Sequence, residues 1–242
     1  PGETLGIVGE SGCGKTTLAQ SLLRLIEPTD GSVRYKGEEL LSASTERLRA
    51  LRTEIQYIFQ DPFASLDPQQ TVGDIIGEPL AIHDIASGDA RSERVDELLE
   101  TVGLSHRHAN RYPHGFSGGQ RQRVGIARAL AVDPEILLLD EPFGSVDART
   151  RDGLHEELLD IWAETRQTVV FVTHDIDEAV KLADSIVVLD DDPGTVQSTV
   201  TVDVDRPRER TSREFVDHVA RIRCKLGQPS DTSQGSMNGN SC

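Results

Sequence analysis

A glycine-rich segment near the start of the sequence carries the first recognisable chemistry. It reads Gly9-Glu10-Ser11-Gly12-Cys13-Gly14-Lys15-Thr16 and fits the pattern G-x-x-x-x-G-K-[ST], between a predicted strand and a predicted helix. Glycines allow successive backbone N–H groups to turn towards phosphate oxygens, and the start of a helix adds a favourable dipole. We expect the Lys15 ammonium to reach the outer phosphates and the Thr16 hydroxyl to bind Mg²⁺. The predicted phosphate-binding residues are Gly9, Ser11, Gly12, Cys13, Gly14, Lys15, Thr16 and Thr17.

Two adjacent carboxylates form a second group. Asp140 and Glu141 follow an apolar run at 136–139 that predicts a buried strand. Ligands bind at the carboxyl ends of strands in open α/β sheets, and successive side chains on a strand point to opposite faces. We therefore expect Asp140 to hold Mg²⁺ and Glu141 to accept a proton from an attacking water as general base. Taken alone, the pair could also be an ordinary strand end.

The elements that must position these groups alternate along the chain. Predicted strands lie at 4–8, 54–59, 136–139, 168–172 and 186–189. Stretches of helical spacing lie at 15–26, 154–162 and 178–183. Strands that alternate with helices indicate an α/β fold with a parallel sheet. Valines of one parity at 196–204 predict one more strand with an exposed face.

The segment at 61–128 has a different sequence pattern: its apolar residues have helical periodicity, which prolines and glycine interrupt. It predicts a helical lobe inserted into the α/β core. We expect one domain over 1–226, with a catalytic lobe at 1–60 and 129–204 and the helical lobe at 61–128. The Ser, Gly and Asn content of residues 227–242 is typical of a disordered tail.

Composition excludes several classes of protein. The 242 residues suffice for one large α/β domain with an insertion, and no apolar run reaches the ~18 residues needed to span a bilayer. The net charge of −16 disfavours nonspecific binding to duplex nucleic acid, so no nucleic-acid partner is expected. Three scattered cysteines without C-x-x-C spacing indicate a reducing cytosol.

The segment from Phe116 to Arg123 narrows the choice among phosphate-binding proteins. It contains Ser117-Gly118-Gly119-Gln120, which resembles the LSGGQ signature of the ATP-binding cassette (ABC) family, with Phe116 in place of the commoner Leu. In isolation Ser-Gly-Gly would be an ordinary flexible turn. Further matches follow in the family's order: Gln60 resembles the Q-loop glutamine, Ser145-Val146-Asp147 resembles the D-loop, and His174 resembles the switch histidine.

The resemblance implies a fold, a cofactor and a set of roles. The fold is α/β, with the parallel-sheet core of a P-loop NTPase and an inserted helical lobe, and the cofactors are ATP and Mg²⁺. Catalytic roles are implied for Glu141, His174 and Gln60, and metal binding for Thr16, Gln60 and Asp140. The residues 117–120 and Asp147 would bind the nucleotide held by a second chain, giving a head-to-tail dimer. Intact members usually begin earlier, so we expect N-terminal strands and the adenine-stacking aromatic residue to be missing from this sequence.

The same resemblance implies an importer whose cargo stays open. Tyr57-Ile58-Phe59-Gln60-Asp61-Pro62, Ala64-Ser65-Leu66-Asp67-Pro68 and Tyr112-Pro113-His114 resemble dipeptide and oligopeptide importers. The segments 140–144 and 172–179 resemble subunits of nitrate, sulfonate, taurine or betaine importers. Expected partners are transmembrane permease subunits, a second ATPase subunit and an extracytoplasmic solute-binding protein, at the cytoplasmic face of the membrane. The alternatives are a soluble ABC ATPase without a transport role and an inactive, truncated cassette.

Overall fold

A mixed α/β architecture surrounds one central sheet. The computed structural model describes residues 2–60, 65–144, 146–165, 167–190 and 194–227. The strands within these residues are β1 (Thr4–Val8), β2 (Arg34–Tyr35), β3 (Glu38–Glu39), β4 (Ile55–Ile58), β5 (Ile136–Asp140), β6 (Thr168–Thr173), β7 (Ser185–Leu189) and β8 (Val196–Thr201). The six-stranded sheet has the order β4-β5-β6-β1-β7-β8, and β2 and β3 form a separate antiparallel pair.

The central sheet is parallel except at one edge. Strands β4, β5, β6, β1 and β7 run in the same direction, while β8 is antiparallel to β7. Parallel neighbours require crossover connections, which explains the alternation of apolar runs and helical spacing in the sequence. The parallel-sheet prediction is therefore confirmed. The valine-rich strand at 196–204 exists as β8 but ends at Thr201, and Val200 faces the core while Val196 is exposed.

The inner strands are buried because their runs are apolar and rich in β-branched residues. Val8, Val169, Phe171, Ile186 and Val188 have no measurable exposure. A strand covered on both faces must consist almost entirely of such side chains. This core holds the carboxyl ends of the strands in fixed positions.

Helices cover the sheet and form the inserted segment. Within the described residues they are α1 (Lys15–Leu22), α2 (Thr45–Glu54), α3 (Val72–Ile82), α4 (Gly88–Thr101), α5 (Gly118–Leu130), α6 (Ala148–Thr165), α7 (Ile176–Leu182) and α8 (Arg213–Lys225). No helix among the described residues is both long enough and apolar enough to cross a membrane.

The first helix is shorter than the sequence predicted. The expected helix at 15–26 ends at Leu22, because Arg24 takes a positive φ of 51°. The Arg24 N–H then donates to the Ser21 carbonyl and the Leu25 N–H to the Gln20 carbonyl, which closes the helix in a Schellman motif. Leu18, Leu25 and Ile26 are exposed, so the apolar residues at helical spacing do not form the buried face of this helix.

Three α-helices of the inserted segment pack together within the described residues. Helices α4 and α5 both contact α3, and they bury a shared set of side chains. The buried set includes Ile75, Ile76, Leu80, Val95, Leu98, Leu99, Val124 and Ile126. Residues 61–64 lie outside the described residues, and the division of the chain into two lobes stays a prediction. So does the disordered tail, which apart from Gly227 lies outside the described residues.

Helix α8 was not predicted from the sequence. It begins after Ser212, whose Oγ accepts a hydrogen bond from the Phe215 N–H at 3.3 Å. Phe215, Val219 and Ile222 are buried at spacings of four and three residues. This cap and this apolar spacing are the signals that could have identified the helix.

Candidate functional site

Four parallel strands deliver the predicted chemical groups to the same edge of the sheet. Strand β1 leads to Gly9, β4 to Gln60, β5 to Glu141 and β6 to His174. The strands are adjacent in the order β4-β5-β6-β1, so their carboxyl ends meet. These groups border a cleft of about 570 Å³. The cleft is lined by Gly9, Glu10, Ser11, Gly12, Gly14, Lys15, Thr16, Thr17, Gln60, Glu141, His174 and Leu226.

The glycine-rich loop depends on backbone conformations that glycine tolerates. Gly12 and Gly14 have φ values of 97° and 96°, and Gly14 is the residue that caps α1. A Cβ on Gly9 would lie 2.6 Å from the Cys13 Sγ, so the loop requires a bare backbone at that point as well. Cys13 packs its side chain in a small apolar cluster and is not among the residues that line the cleft. Its predicted backbone contact with phosphate stays a prediction.

The Lys15 side chain is buried against the glycine-rich loop. The residue is only 5% exposed, and its Nζ donates to the carbonyl oxygens of Gly9 at 2.9 Å and Glu10 at 2.7 Å. Carbonyls accept hydrogen bonds but provide no formal negative charge, and a buried cation is costly without one. An anion that enters the cleft would supply that charge.

Asp140 lies behind the cleft and is held by two hydroxyl groups. Its carboxylate is 3% exposed. The Thr16 hydroxyl donates to Oδ1 at 2.9 Å, and the Tyr57 hydroxyl donates to Oδ2 at 2.9 Å. Burial, and then the hydrogen bond to Asp140, raise the pKa of Tyr57, so the phenol keeps its proton and remains a donor. No pattern in the sequence marks Tyr57 for this contact.

The oxygen atoms of Thr16, Asp140 and Gln60 are a possible partial ligand set for a small, hard cation. Thr16 and Asp140 place two oxygens next to one another at the cleft, and Gln60 lines the same space. Within the described residues, no group of three or more His, Cys, Asp or Glu side chains could hold a metal ion. Mg²⁺ usually takes one or two protein ligands and completes its shell with phosphate oxygens and water. The donor set therefore suits Mg²⁺ that arrives with a phosphate ligand.

Glu141 faces the cleft and contacts two other strand ends. The Gln60 Nε2 donates to its Oε2 at 2.9 Å, and the His174 Nδ1 lies 3.2 Å from its Oε1. Its φ of 42° is uncommon for a residue with a side chain. The Glu141 N–H donates to the Val172 carbonyl at 2.9 Å, and the Gly144 N–H donates to the Glu141 carbonyl at 3.0 Å. These bonds hold the strained turn that directs the carboxylate into the cleft.

A buried polar cluster supports the turn that carries His174. The Thr173 hydroxyl donates to Glu178 Oε2 at 2.8 Å and accepts from the Asp175 N–H at 3.0 Å. Burial raises the pKa of Glu178 to about 8, and burial lowers the pKa of the neighbouring His155 to about 4. Neither residue was predicted from the sequence, because His155 lies on α6 and Glu178 on α7, and only the folded chain brings them together.

The segment at 117–120 lies outside this cleft. Ser117 Oγ accepts from the Gln120 N–H at 3.3 Å, while Gln120 Oε1 accepts from the Ser117 N–H at 3.1 Å, which forms a capping box at the start of α5. Gly119 is buried, and a Cβ there would lie 2.9 Å from the Thr150 Cγ2. Among the described residues that line the cleft, none comes from 117–120. One chain thus has a second helix start that could bind an anion but does not complete its own cleft.

The predicted D-loop is described in part. Asp147 Oδ1 accepts from the Thr150 N–H at 3.1 Å and so caps the start of α6. Asp147 is exposed, and Ser145 lies outside the described residues. The predicted contact of Asp147 with nucleotide stays a prediction.

The fold and the cleft together define a class. A glycine-rich loop that opens a helix, beside a strand that ends in carboxylates, is the arrangement of P-loop nucleotide-binding proteins. The family model described as "ABC transporter" matches residues 1–144, which is more than half of the sequence. The chain therefore belongs to the ABC transporter family.

Curated relatives include ATP-binding proteins of importers. The chain is 50% identical over 190 residues to the oligopeptide transport ATP-binding protein OppF of Bacillus subtilis (strain 168), which covers 78% of this chain and 62% of that protein. It is 46% identical over 189 residues to the glutathione import ATP-binding protein GsiA of Escherichia coli (strain K12), which covers 78% of this chain and 30% of that protein. The chain thus spans less than two thirds of the length of either relative.

Solved structures agree with the fold. The ATP-binding cassette MJ0796, described as dimeric, in a post-hydrolysis state and bound to ADP and Pi, is 34% identical, with a TM-score of 0.73 over 84% of this chain and 87% of that chain. The cassette cbiO1 from Clostridium perfringens, part of the transporter complex cbiONQ, is 27% identical, with a TM-score of 0.75 over 93% of this chain and 86% of that chain. The predicted P-loop NTPase core with a parallel sheet is therefore confirmed.

Proposed function

We propose that the chain is the ATP-binding and ATP-hydrolysing subunit of an ABC importer for small, peptide-like solutes. The observation that carries this proposal is the Glu141 carboxylate, which faces the cleft between Gln60 and His174 and beside Lys15. A phosphate grip and a preorganised base in one cleft are what hydrolysis of a nucleoside triphosphate requires.

Each side chain of the cleft has a definite task in this proposal. The Lys15 ammonium exchanges its carbonyl acceptors for the outer phosphates, while the amides at the start of α1 bind the remaining phosphate oxygens. Thr16 and Asp140 would hold Mg²⁺, which supplies charge neutralisation on the phosphates when bound. Glu141 accepts a proton from the attacking water, with Gln60 and His174 fixing the orientation of its two oxygens.

A second copy of the chain would complete the site. The helix start at 117–120 is exposed at Ser117 and does not line the cleft of its own chain. Its amides and dipole suit the outer phosphates of a nucleotide bound by another copy. A twofold, head-to-tail pair would use both helix starts twice, and the dimeric MJ0796 cassette supports this assembly.

Membrane partners and cargo follow from the relatives. We infer that the chain acts with permease subunits and a solute-binding protein, at the cytoplasmic face of a membrane. The names of OppF and GsiA favour peptides, including small thiol peptides, over nitrate, sulfonate, taurine or betaine as cargo. The permease would select the cargo, while this chain supplies the motion of opening and closing.

The proposed binding of phosphate by Lys15 is tested by replacing Lys15 and, as a control, Lys36. We expect Lys15→Ala to abolish binding of ATP, measured with a fluorescent analogue, because the buried ammonium is lost from the cleft. Lys36→Ala is the matched control: Lys36 is half exposed and pairs with Glu135 and Glu54 on the surface, so its removal should leave affinity unchanged. Equal affinities for all three proteins would contradict the phosphate assignment.

The catalytic role is tested separately by phosphate release. Glu141→Gln keeps the shape of the side chain but removes the base, so hydrolysis should fall by about 10² to 10⁴. ATP affinity should remain, because Lys15 and the glycine-rich loop are untouched. Undiminished turnover in this variant would refute the assignment of Glu141 as general base.

A further inference from the structure

The hydroxyl of Tyr57 contacts Asp140, although Tyr57 is not among the described residues that line the cleft. Strand β4 pairs with β5 so that Tyr57 lies opposite Leu138. Asp140 is two residues further along β5 and therefore projects from the same face as Leu138. The Tyr57 hydroxyl donates to Asp140 Oδ2 at 2.9 Å across this step of the sheet.

The two oxygens of Asp140 thus have different partners. Oδ1 accepts from the Thr16 hydroxyl at 2.9 Å, on the side of the cleft. Oδ2 accepts from the Tyr57 hydroxyl at 2.9 Å. A carboxylate bound at one oxygen by a fixed donor cannot rotate freely, so its other oxygen keeps one direction.

The ring of Tyr57 is itself held in place. It is half-buried, packs beside the apolar cluster under the glycine-rich loop, and meets Phe59 edge-on with ring centroids 4.7 Å apart. This packing, together with the hydrogen bond to Asp140, fixes the position of the hydroxyl beside the end of β5. The hydroxyl is therefore a rigid donor rather than a mobile surface group.

We infer that Tyr57 is a positioning residue for the divalent cation: its hydroxyl fixes Asp140 Oδ2 so that Oδ1 stays directed at Thr16 and at the metal position. This inference rests on the proposed function, because it assumes that Thr16 and Asp140 hold the cation that accompanies the nucleotide. Tyr57 is not among the described residues that line the cleft, so it would act through Asp140.

Tyr57→Phe isolates the hydroxyl, since the ring and its packing remain. Binding of Mn²⁺ to the complex of the chain with ADP, measured by electron paramagnetic resonance, should weaken about tenfold, the loss expected for one hydrogen bond to a charged group. The affinity for ADP without metal, measured by calorimetry in a chelator, should stay unchanged because the glycine-rich loop is intact.

Tyr35→Phe is a closely matched control. The Tyr35 hydroxyl also donates to a carboxylate, Glu135 Oε2 at 3.0 Å, but at an exposed position and not among the residues that line the cleft. The same loss of one phenol hydroxyl should there leave Mn²⁺ affinity unchanged. Asp140→Asn should remove most of the Mn²⁺ affinity, which checks the metal site itself.

Two results would overturn the positioning role. One is a Tyr57→Phe protein that binds Mn²⁺ like the unmodified chain while Asp140→Asn does not; the proposed function would survive that result. The other is an equal loss of Mn²⁺ affinity and metal-free ADP affinity in Tyr57→Phe, because the hydroxyl would then act on the loop. If Asp140→Asn also left Mn²⁺ affinity unchanged, the metal site of the proposed function would fail as well.

Discussion

The two oxygens of Glu141 are held by residues from different strand ends. Gln60 follows β4 and His174 follows β6, and each contacts one oxygen of the carboxylate that follows β5. A base held in this way needs little reorganisation before it accepts a proton. The left-handed backbone at Glu141 is the local strain that this orientation requires.

Behind this base lies a pair of buried groups that hold unusual protonation states. The Glu178 carboxyl has its pKa raised to about 8 by burial, from 4.5 for an exposed carboxyl. Between pH 4.5 and about 8 the Glu178 carboxyl is protonated in the folded protein and ionised in the unfolded chain. The contribution of Glu178 to stability is therefore complete below pH 4.5 and is lost as the pH rises to about 8.

His155 has the opposite dependence on pH. Burial lowers its pKa from 6.5 to about 4, with further lowering by Lys181 and Arg210. Between these two pH values the His155 side chain is protonated in the unfolded chain and neutral in the folded protein. The contribution of His155 is complete above pH 6.5 and is lost as the pH falls to about 4.

Glu178→Gln tests the alkaline side of this behaviour. Glutamine accepts the Thr173 hydrogen bond and cannot ionise, so the free energy of unfolding should fall less between pH 5 and pH 8 than in the unmodified chain. The difference should reach a few kcal/mol, since one unit of pKa corresponds to about 1.4 kcal/mol. Urea denaturation at a series of pH values measures it.

The control for this prediction is Glu156→Gln. The Glu156 side chain is 73% exposed, so its replacement should leave the pH profile unchanged. If the profile of Glu178→Gln ran parallel to that of the unmodified chain, Glu178 would be ionised in the folded protein and the account of this cluster would be wrong.

Single residues were predictable where a local pattern marks them. The glycine-rich loop, the acidic pair, Gln60 and His174 each follow a predicted strand, and the structure places all of them around one cleft except Asp140, which lies behind it. Tyr57 and Glu178 have no such local mark. The partner of Tyr57 is 83 residues away in the sequence, so only the strand order could reveal their contact.

At the scale of elements, two helix N-termini have a conformation that can bind an anion. Helix α1 begins at the glycine-rich loop, and α5 begins at the Ser117 capping box. Both present unpaired backbone N–H groups that can bind an anion. The cap at α5 therefore has two tasks under the proposed function, to stabilise the helix and to contact phosphate of another chain.

Two serine substitutions separate these tasks. Ser117→Ala and Ser44→Ala each remove an N-cap hydroxyl, at the start of α5 and α2 respectively, and each should cost about 1 kcal/mol of unfolding free energy. Only Ser117→Ala should reduce dimer formation in MgATP, measured by light scattering. Equal dimer formation in both variants would show that Ser117 only caps its helix.

Strands with long apolar runs were predictable from the sequence. The end of a helix was not predictable where a backbone conformation, and not a side-chain pattern, ends it. The strands at 136–140 and 168–173 have unbroken apolar runs and lie within a residue of their predicted bounds. Helix α1 ended early because Arg24 takes a left-handed conformation, which no side-chain pattern indicates. Helix α8 has both the Ser212 cap and apolar residues at helical spacing, so the signals for it are present in the sequence although no helix was predicted there.

At the scale of the whole molecule, only one of the two helix starts that are proposed to bind phosphate borders the cleft. Residues 117–120 and Asp147 lie outside the cleft that Lys15, Glu141 and His174 line. This separation could not be predicted from spacing alone, although the resemblance to the ABC family implied it. Under the proposed function, one copy of the chain is half of each catalytic site.

The assembly state in the presence of nucleotide tests this claim most directly. Glu141→Gln should bind MgATP without hydrolysing it, and analytical ultracentrifugation should show a monomer without nucleotide and a dimer in saturating MgATP. Ser117→Arg added to this variant should prevent the dimer, because a bulky side chain would block the helix start. A Glu141→Gln protein that binds MgATP and remains entirely monomeric would contradict the two-chain site.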